Sequence, residues 1–149
     1  MAADDLYDRD FYAWTKAQAE ALRARGRGAN AIDYDVLAEE VEDLGKSDQR
    51  ECFSGVETII EHLFKLAWSQ RPEPRAGWEE TILRERNRLE LVMTASLRRD
   101  VEATLAQRHE RALRVAAKAF SREEPDVAVD PERRWSLPQI LGDESDPIG

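Results

Sequence analysis

The chain has 149 residues, a formal net charge of −9, and 36% charged against 42% apolar residues. That length suits one domain able to bury roughly 70% of the unfolded surface, and the apolar share excludes an intrinsically disordered chain. The acidic balance disfavours generic nucleic-acid binding, and the lone cysteine, Cys52, excludes an intramolecular disulfide or a Cys-cluster zinc site.

The opening residues, MAADDLYDRDFYAW, lack the basic and apolar regions of a secretory leader, and no stretch approaches a transmembrane span. The expectation is a soluble cytoplasmic protein with no membrane attachment. Residues 8 to 25 form the first predicted helix, capped by Asp8 or Asp10. Its apolar face carries Phe11, Trp14 or Thr15, Ala19 and Leu22. Arg23, Arg25 and Arg27 suit the carbonyl end, and Gly26 and Gly28 stop it.

Residues 33 to 69 form the second and dominant unit. Acids at 33, 35, 39 and 40 favour a helix start. The inner stripe reads Leu37, Val41, Leu44, then Cys52, Val56, Ile59, Leu63 and Leu66, widened by Phe53, Ile60, Phe64 and Ala67. Unbroken, this helix would run for about 55 Å, too long for a small bundle. A kink or short break is therefore expected at Gly45-Lys46-Ser47, with Ser47 as a new N-cap.

The Arg71–Arg75 segment, RPEPR, ends that unit. A third helix is predicted over 77–94, with Trp78, Ile82, Leu89 and Val92 or Met93 inward and Arg84, Arg86 and Arg88 outside that stripe. A fourth, capped within Thr94-Ala95-Ser96, spans about 97–120 with Leu97, Val101, Leu105, Leu113, Ala116 and Phe120 inward. The tail from 121 reads as extended chain docked on the bundle. Within it, Ser136 caps one short turn over 136–141 beside Trp135, and the end beyond frays. The expected architecture is a single all-α domain over 1–149, with a core at about 7–120. It has four main helices, the second long and kinked near Gly45.

Charge is placed unevenly. Residues 33–61 hold ten acids and two bases, while 65–118 hold twelve bases and eight acids. Complementary helical faces account for this, with the acids of the second helix answering arginines of the third. A basic face of Arg75, Arg84, Arg88, Arg98 and Arg99 offers the nucleic-acid alternative, which pairing with the chain's 31 acids disfavours.

Acids and histidines in a helical bundle raise the carboxylate-bridged dimetal site, which needs Glu-x-x-His on two helices. Here Ile59 and Ala106 stand three positions before His62 and His109, so that motif is absent. A mononuclear site from His62, His109 and a carboxylate, with Glu40 and Asp48 as candidates, is the metal or enzyme alternative. Core-edge histidines bonded to a carbonyl or carboxylate are the simpler account. Glu40 falls beside Leu37, Val41 and Leu44, where a partly buried carboxylate needs a donor. The acid pairs Glu39/Glu40 and Glu42/Asp43 are commonplace on helix surfaces. Cys52 packs as a small hydrophobe, and no nucleophile elbow, phosphate loop or dinucleotide fingerprint is present.

Several segments in order, DFYAWTKAQAEALR, AEEVEDLGKSDQRE, EHLFKL with its Pro-containing link, GWEETILRERNRLE and WSLPQILGD, resemble the bacterial family called domain of unknown function 29. The likeness runs from about residue 7 to 143 and is loosest over 121–134. It implies a compact, largely helical cytoplasmic domain and brings no catalytic residue or cofactor. The sequence reading is a non-catalytic interaction or regulatory module with no cofactor. A protein partner or a homodimer is expected, nucleic acid is disfavoured, and no membrane is involved.

Overall fold

The computed structural model describes residues 2–25 and 32–149. Among these the chain is all-α: α1 (Ala2–Arg9), α2 (Phe11–Ala24), α3 (Tyr34–Trp68), α4 (Arg75–Val92), α5 (Ala95–Ala103), α6 (Leu105–Glu123) and α7 (Leu137–Leu141). No helix among the described residues is long and apolar enough to cross a membrane. The stop expected at Gly26 and Gly28, and Arg27, lie outside the described residues.

Of the kink or short break expected in the second helix, the break is absent, because α3 continues as helix through Gly45-Lys46-Ser47 for 35 residues. The chain forms two compact units, residues 1–52 with 92–100 and residues 53–91 with 101–149. The length of α3 is used by dividing it: its residues 34–52 belong to the first unit and 53–68 to the second. Gly45 is not a breaker but a close-packing position. A Cβ there would collide with the Thr15 hydroxyl and touch the Tyr12 ring at 3.2 Å, so only glycine lets α2 lie this near α3.

In the first unit, Asp10 rather than Asp8 caps α2, accepting from the Ala13 N–H at 3.0 Å. The same buried carboxylate accepts from the Ser96 N–H at 2.8 Å and from the Ser96 hydroxyl at 2.7 Å, so one side chain closes the starts of α2 and α5. Burial alone would raise its pKa, but the hydrogen bonds from Ala13, Ser96 and Thr94 together hold it below the usual value. Thr94 caps α5 weakly, accepting from the Leu97 N–H at 3.4 Å. Beneath α2, the Gln49 amide donates at 2.9 Å both to the Tyr12 hydroxyl and to Asp100. Burial, then the Asp100 carboxylate, push the Tyr12 phenol up to about 12.

In the second unit the inner rows read from sequence hold in part: Leu66, Leu105 and Leu113 are only half-buried and Ala67 is exposed, while His109 and Ala112 are buried in α6. Val56, Ile59, Ile60, Leu63 and Phe64 of α3 pack with Ile82 and Leu89 of α4 and with Ala116 and Phe120 of α6, all buried. Phe64, Trp68, Phe120 and Trp135 form an aromatic cluster with ring centroids 4.8 to 5.5 Å apart along its chain of contacts. The predicted single helix over 97–120 is instead two, parted at Thr104. Its N–H turns back to the Val101 carbonyl at 3.2 Å and its own carbonyl accepts from Arg108 at 3.1 Å. No glycine or proline announces that joint; a β-branched residue of modest helix propensity occupies it.

The tail does dock, and its hydrogen bonds reach as far as Asp146 and Ile148. Ser136 and Gln139 form a reciprocal capping box at α7, and Gly142 ends it with φ 80°. Arg86, placed outside the apolar stripe by sequence, is buried here. Its guanidinium donates to the Ile140 and Gln139 carbonyls at 2.9 and 3.2 Å and to both oxygens of Asp146 at 2.9 and 3.0 Å. That hydrogen bonding lowers the Asp146 pKa. At Gly142 a Cβ would also meet the Arg86 guanidinium at 2.8 Å. Gly142→Ala is therefore expected to cost about 1–2 kcal/mol for the left-handed backbone, read as a lower urea midpoint at unchanged slope.

Candidate functional site

The surface of the first unit departs from the sequence reading at one place. Along residues 34–52 of α3 the buried positions are Ala38, Gly45 and Cys52, a heptad of small residues that lets neighbours approach closely. With those turned inward, helical geometry rotates Leu37 and Leu44 onto the flank. Leu37 is 44% exposed and Leu44 is 56% exposed, with Val41 between them half-buried. The stripe expected to face the core is thus an outer stripe, and Asp48 completes it one turn further at the spacing 37, 41, 44, 48.

The carboxylates around this stripe follow the same rotation. Glu40, expected to be partly buried, is exposed because its leucine neighbours are. Asp48 is half-buried and makes no hydrogen bond or ion pair among the described residues. Burial, with the Glu51 charge adding to it, raises its pKa. Glu42 does find cations, but on α2 and its own helix rather than on the arginine-rich α4: Arg23 at 2.9 Å and Lys46 at 3.3 Å. Hydrogen bonds from Arg23 and then Lys46 lower its pKa.

The two histidines belong to the second unit, and Glu40 and Asp48 belong to the first. His62 is half-buried, with Nδ1 at 2.8 Å from the Thr58 carbonyl. His109 is only 2% exposed. Its Nδ1 stands 3.1 Å from the Leu105 carbonyl and its Nε2 3.2 Å from the Trp135 N–H. A backbone N–H only donates and a carbonyl only accepts, so Nδ1 carries the proton and Nε2 the lone pair. Both ring nitrogens are engaged, and the ring stacks on the Trp135 indole at 6.3 Å and 12°. Among the described residues no group of three or more His, Cys, Asp or Glu side chains could hold a metal ion.

Burial is the main cause that lowers the His109 pKa. The Arg134 charge adds to it, and the Leu105 carbonyl and Glu110 oppose it. A protonated Nε2 would set donor against donor at Trp135. The unfolded chain, titrating near 6.5, therefore binds this proton before the folded one does. Stability is complete above that value and falls as pH drops toward the depressed folded pKa, by at most about 1.4 kcal/mol per pH unit. Urea melts from pH 7.5 to 5.5 are expected to show this slope, and His109→Gln is expected to flatten it.

A recess of about 350 Å³ lies between α3 and α6 in the same unit, lined by residues that include Ser54, Glu57, Thr58, Glu61, Arg111 and Arg114. Most of its charges are satisfied internally. Glu57 accepts from Arg108 at 2.6 Å and Arg111 at 3.1 Å, and Glu61 pairs with Lys65 at 3.1 Å. The Thr58 hydroxyl donates to the Ser54 carbonyl at 2.9 Å. No hydroxyl or thiol there meets a base. The arginines of α4 are spent likewise: Arg75 on the Leu66 carbonyl, Arg84 on Glu80, Arg86 on the tail and Arg88 on Glu85. Cys52 is buried and forms no disulfide.

Of the sequence candidates, then, Asp48 stands on an exposed apolar stripe, Glu40 stands beside it, and His62 and His109 serve the interior of the second unit. The signal that sequence reading missed is the small-residue heptad Ala38, Gly45, Cys52, which marks the buried face more faithfully than the leucines do. A solved structure, an alpha-helical protein of unknown function from Rhodospirillum rubrum, is similar at 25% identity. It superposes over 95% of this chain and 92% of its own with a TM-score of 0.79. No curated protein matches. The family model described as domain of unknown function DUF29 matches residues 6–144, and the chain belongs to that family.

Proposed function

We propose that the protein is a non-catalytic helical interaction module that engages a protein partner through the outer flank of the first half of α3. The observation that carries this is the row of exposed Leu37 and Leu44 with half-buried Val41 between them, on a helix whose other exposed side chains over 34–52 are charged apart from Val36 and Ser47. Scattered exposed leucines such as Leu83 and Leu91 are ordinary, whereas a row at i, i+4 and i+7 is the pattern with which helices receive helices. The single buried thiol supports a reducing, cytoplasmic setting.

A photoreactive residue placed at Leu44 in the full chain, expressed in its native host, tests the reading. It is expected to yield a discrete adduct with one protein, weakened by Leu37→Ser, while the same probe at Leu91 yields none. No adduct at Leu44 would remove the reading.

A further inference from the structure

We infer that the stripe of Leu37, Val41, Leu44 and Asp48 receives a basic amphipathic helix of a partner protein, with its apolar face on the leucines and a lysine or arginine on Asp48. The inference rests on the interaction-module reading and adds the partner's chemistry.

Charge decides between occupants. Residues 33–52 carry eight acids and two bases, and one of those bases, Lys46, is already held by Glu42 and lies 4.0 Å from Asp43. A second copy of this chain would bring another acidic border against Glu40 and a second uncompensated Asp48. A neutral apolar helix would cover the leucines but complete the burial of Asp48 without a donor, which is costly. Only an occupant that carries cations beside its apolar row satisfies both features. The raised pKa of Asp48, caused by burial and by Glu51, agrees with a carboxylate that lacks its counter-charge. The spacing supplies the geometry, since 37, 41, 44 and 48 follow a seam of alternating four and three residues along which a second helix lies.

The probe is a synthetic peptide of about 18 residues, long enough to hold a helix, with leucines at i, i+3, i+4 and i+7 and lysines beside them. Its two controls are a scrambled peptide of the same composition and an analogue with every lysine replaced by glutamate. Binding to the full chain is followed by fluorescence anisotropy at low and high salt. The lysine peptide is expected to bind at least about tenfold more tightly than the scrambled one and to weaken with salt. Leu37→Ser with Leu44→Ser, and separately Asp48→Asn, are each expected to weaken it by about tenfold. These positions are exposed or half-exposed, and unchanged circular dichroism confirms that the variants fold. Equal binding of the scrambled peptide, or of the glutamate analogue, overturns the inference. So does a concentration-dependent dimer in sedimentation that Leu44→Ser abolishes, which would make a second copy the occupant. A lysine peptide that fails to bind while the Leu44 adduct still forms removes the partner's basic character and leaves the module.

Discussion

Arg86→Ala is expected to lower the unfolding free energy by about 3–5 kcal/mol, the range for removing one partner of a buried ion pair. The size follows from what would be left behind. Arg86 is 8% exposed and satisfies two carbonyls at the end of α7 as well as both oxygens of Asp146. Truncation takes a donor from four acceptors at once, and only two keep another: the Gln139 carbonyl retains the Gly142 N–H at 3.2 Å and Asp146 Oδ1 the Ile148 N–H at 3.0 Å. Arg86→Lys is expected to recover little, because one ammonium cannot span the fork that the guanidinium provides. Asp146→Asn should cost less than Arg86→Ala, since the carbonyl contacts survive. Hydrogen exchange localises the effect: amides of residues 137–148 are expected to lose protection first. A loss below about 1 kcal/mol, the ordinary value of a single exposed pair, would show that the tail does not depend on this clamp.

Gly45→Ala is expected to destabilise by about 3 kcal/mol, the upper end of the overpacking range, although alanine in a helix normally gains up to about 1 kcal/mol over glycine. The added methyl meets atoms that cannot retreat. The Thr15 hydroxyl is held by its hydrogen bond to the Tyr12 carbonyl at 2.7 Å, and Thr15 itself is fully buried. Thr15→Ala in the same chain removes the nearest obstacle, so the double variant is expected to recover part of the loss as a favourable coupling. Gly77, in α4, is the internal comparison: a Cβ there meets nothing within 4 Å, and Gly77→Ala should stabilise by a few tenths to about 1 kcal/mol. Opposite signs for one substitution at two helical glycines, read from urea midpoints, test close approach rather than propensity. A stabilised Gly45→Ala would refute the packing account.

The all-α class was legible because apolar spacing and the scarcity of breakers both argue for helices. So was the short helix at WSLPQILGD, where a serine cap, an early proline and a closing glycine are local signals that tertiary packing did not override. The misreadings share a cause. At Gly45 a residue that weakens isolated helices was present for what it allows a neighbour to do, and no single-chain propensity reports that. At Leu37 and Leu44 the largest apolar side chains were assumed to face inward, while Ala38, Gly45 and Cys52 did so. Hydropathy ranks a leucine above a glycine and therefore misplaces a close-packed face. Arg86 falls outside the apolar stripe, a position where arginine is usually exposed, and its partners lie 53 to 60 residues away in the chain. The exposed leucine stripe was visible only as a contradiction, once the structure showed which way α3 is turned.

The double cap at Asp10 has a consequence for how the molecule is made. Its partner Ser96 lies 86 residues downstream, and the unit that both belong to needs residues 92–100 to be complete. A ribosome adding roughly 5–20 residues per second takes several seconds to travel from residue 52 to that segment. During that interval the nascent amino-terminal helices carry a carboxylate with one of its two helix ends missing, and a face with nothing yet to close it. The later segment arrives with its own helix start capped only by the weak Thr94 contact. Each is the other's last piece, so the amino-terminal unit is finished from the middle of the chain rather than from its beginning.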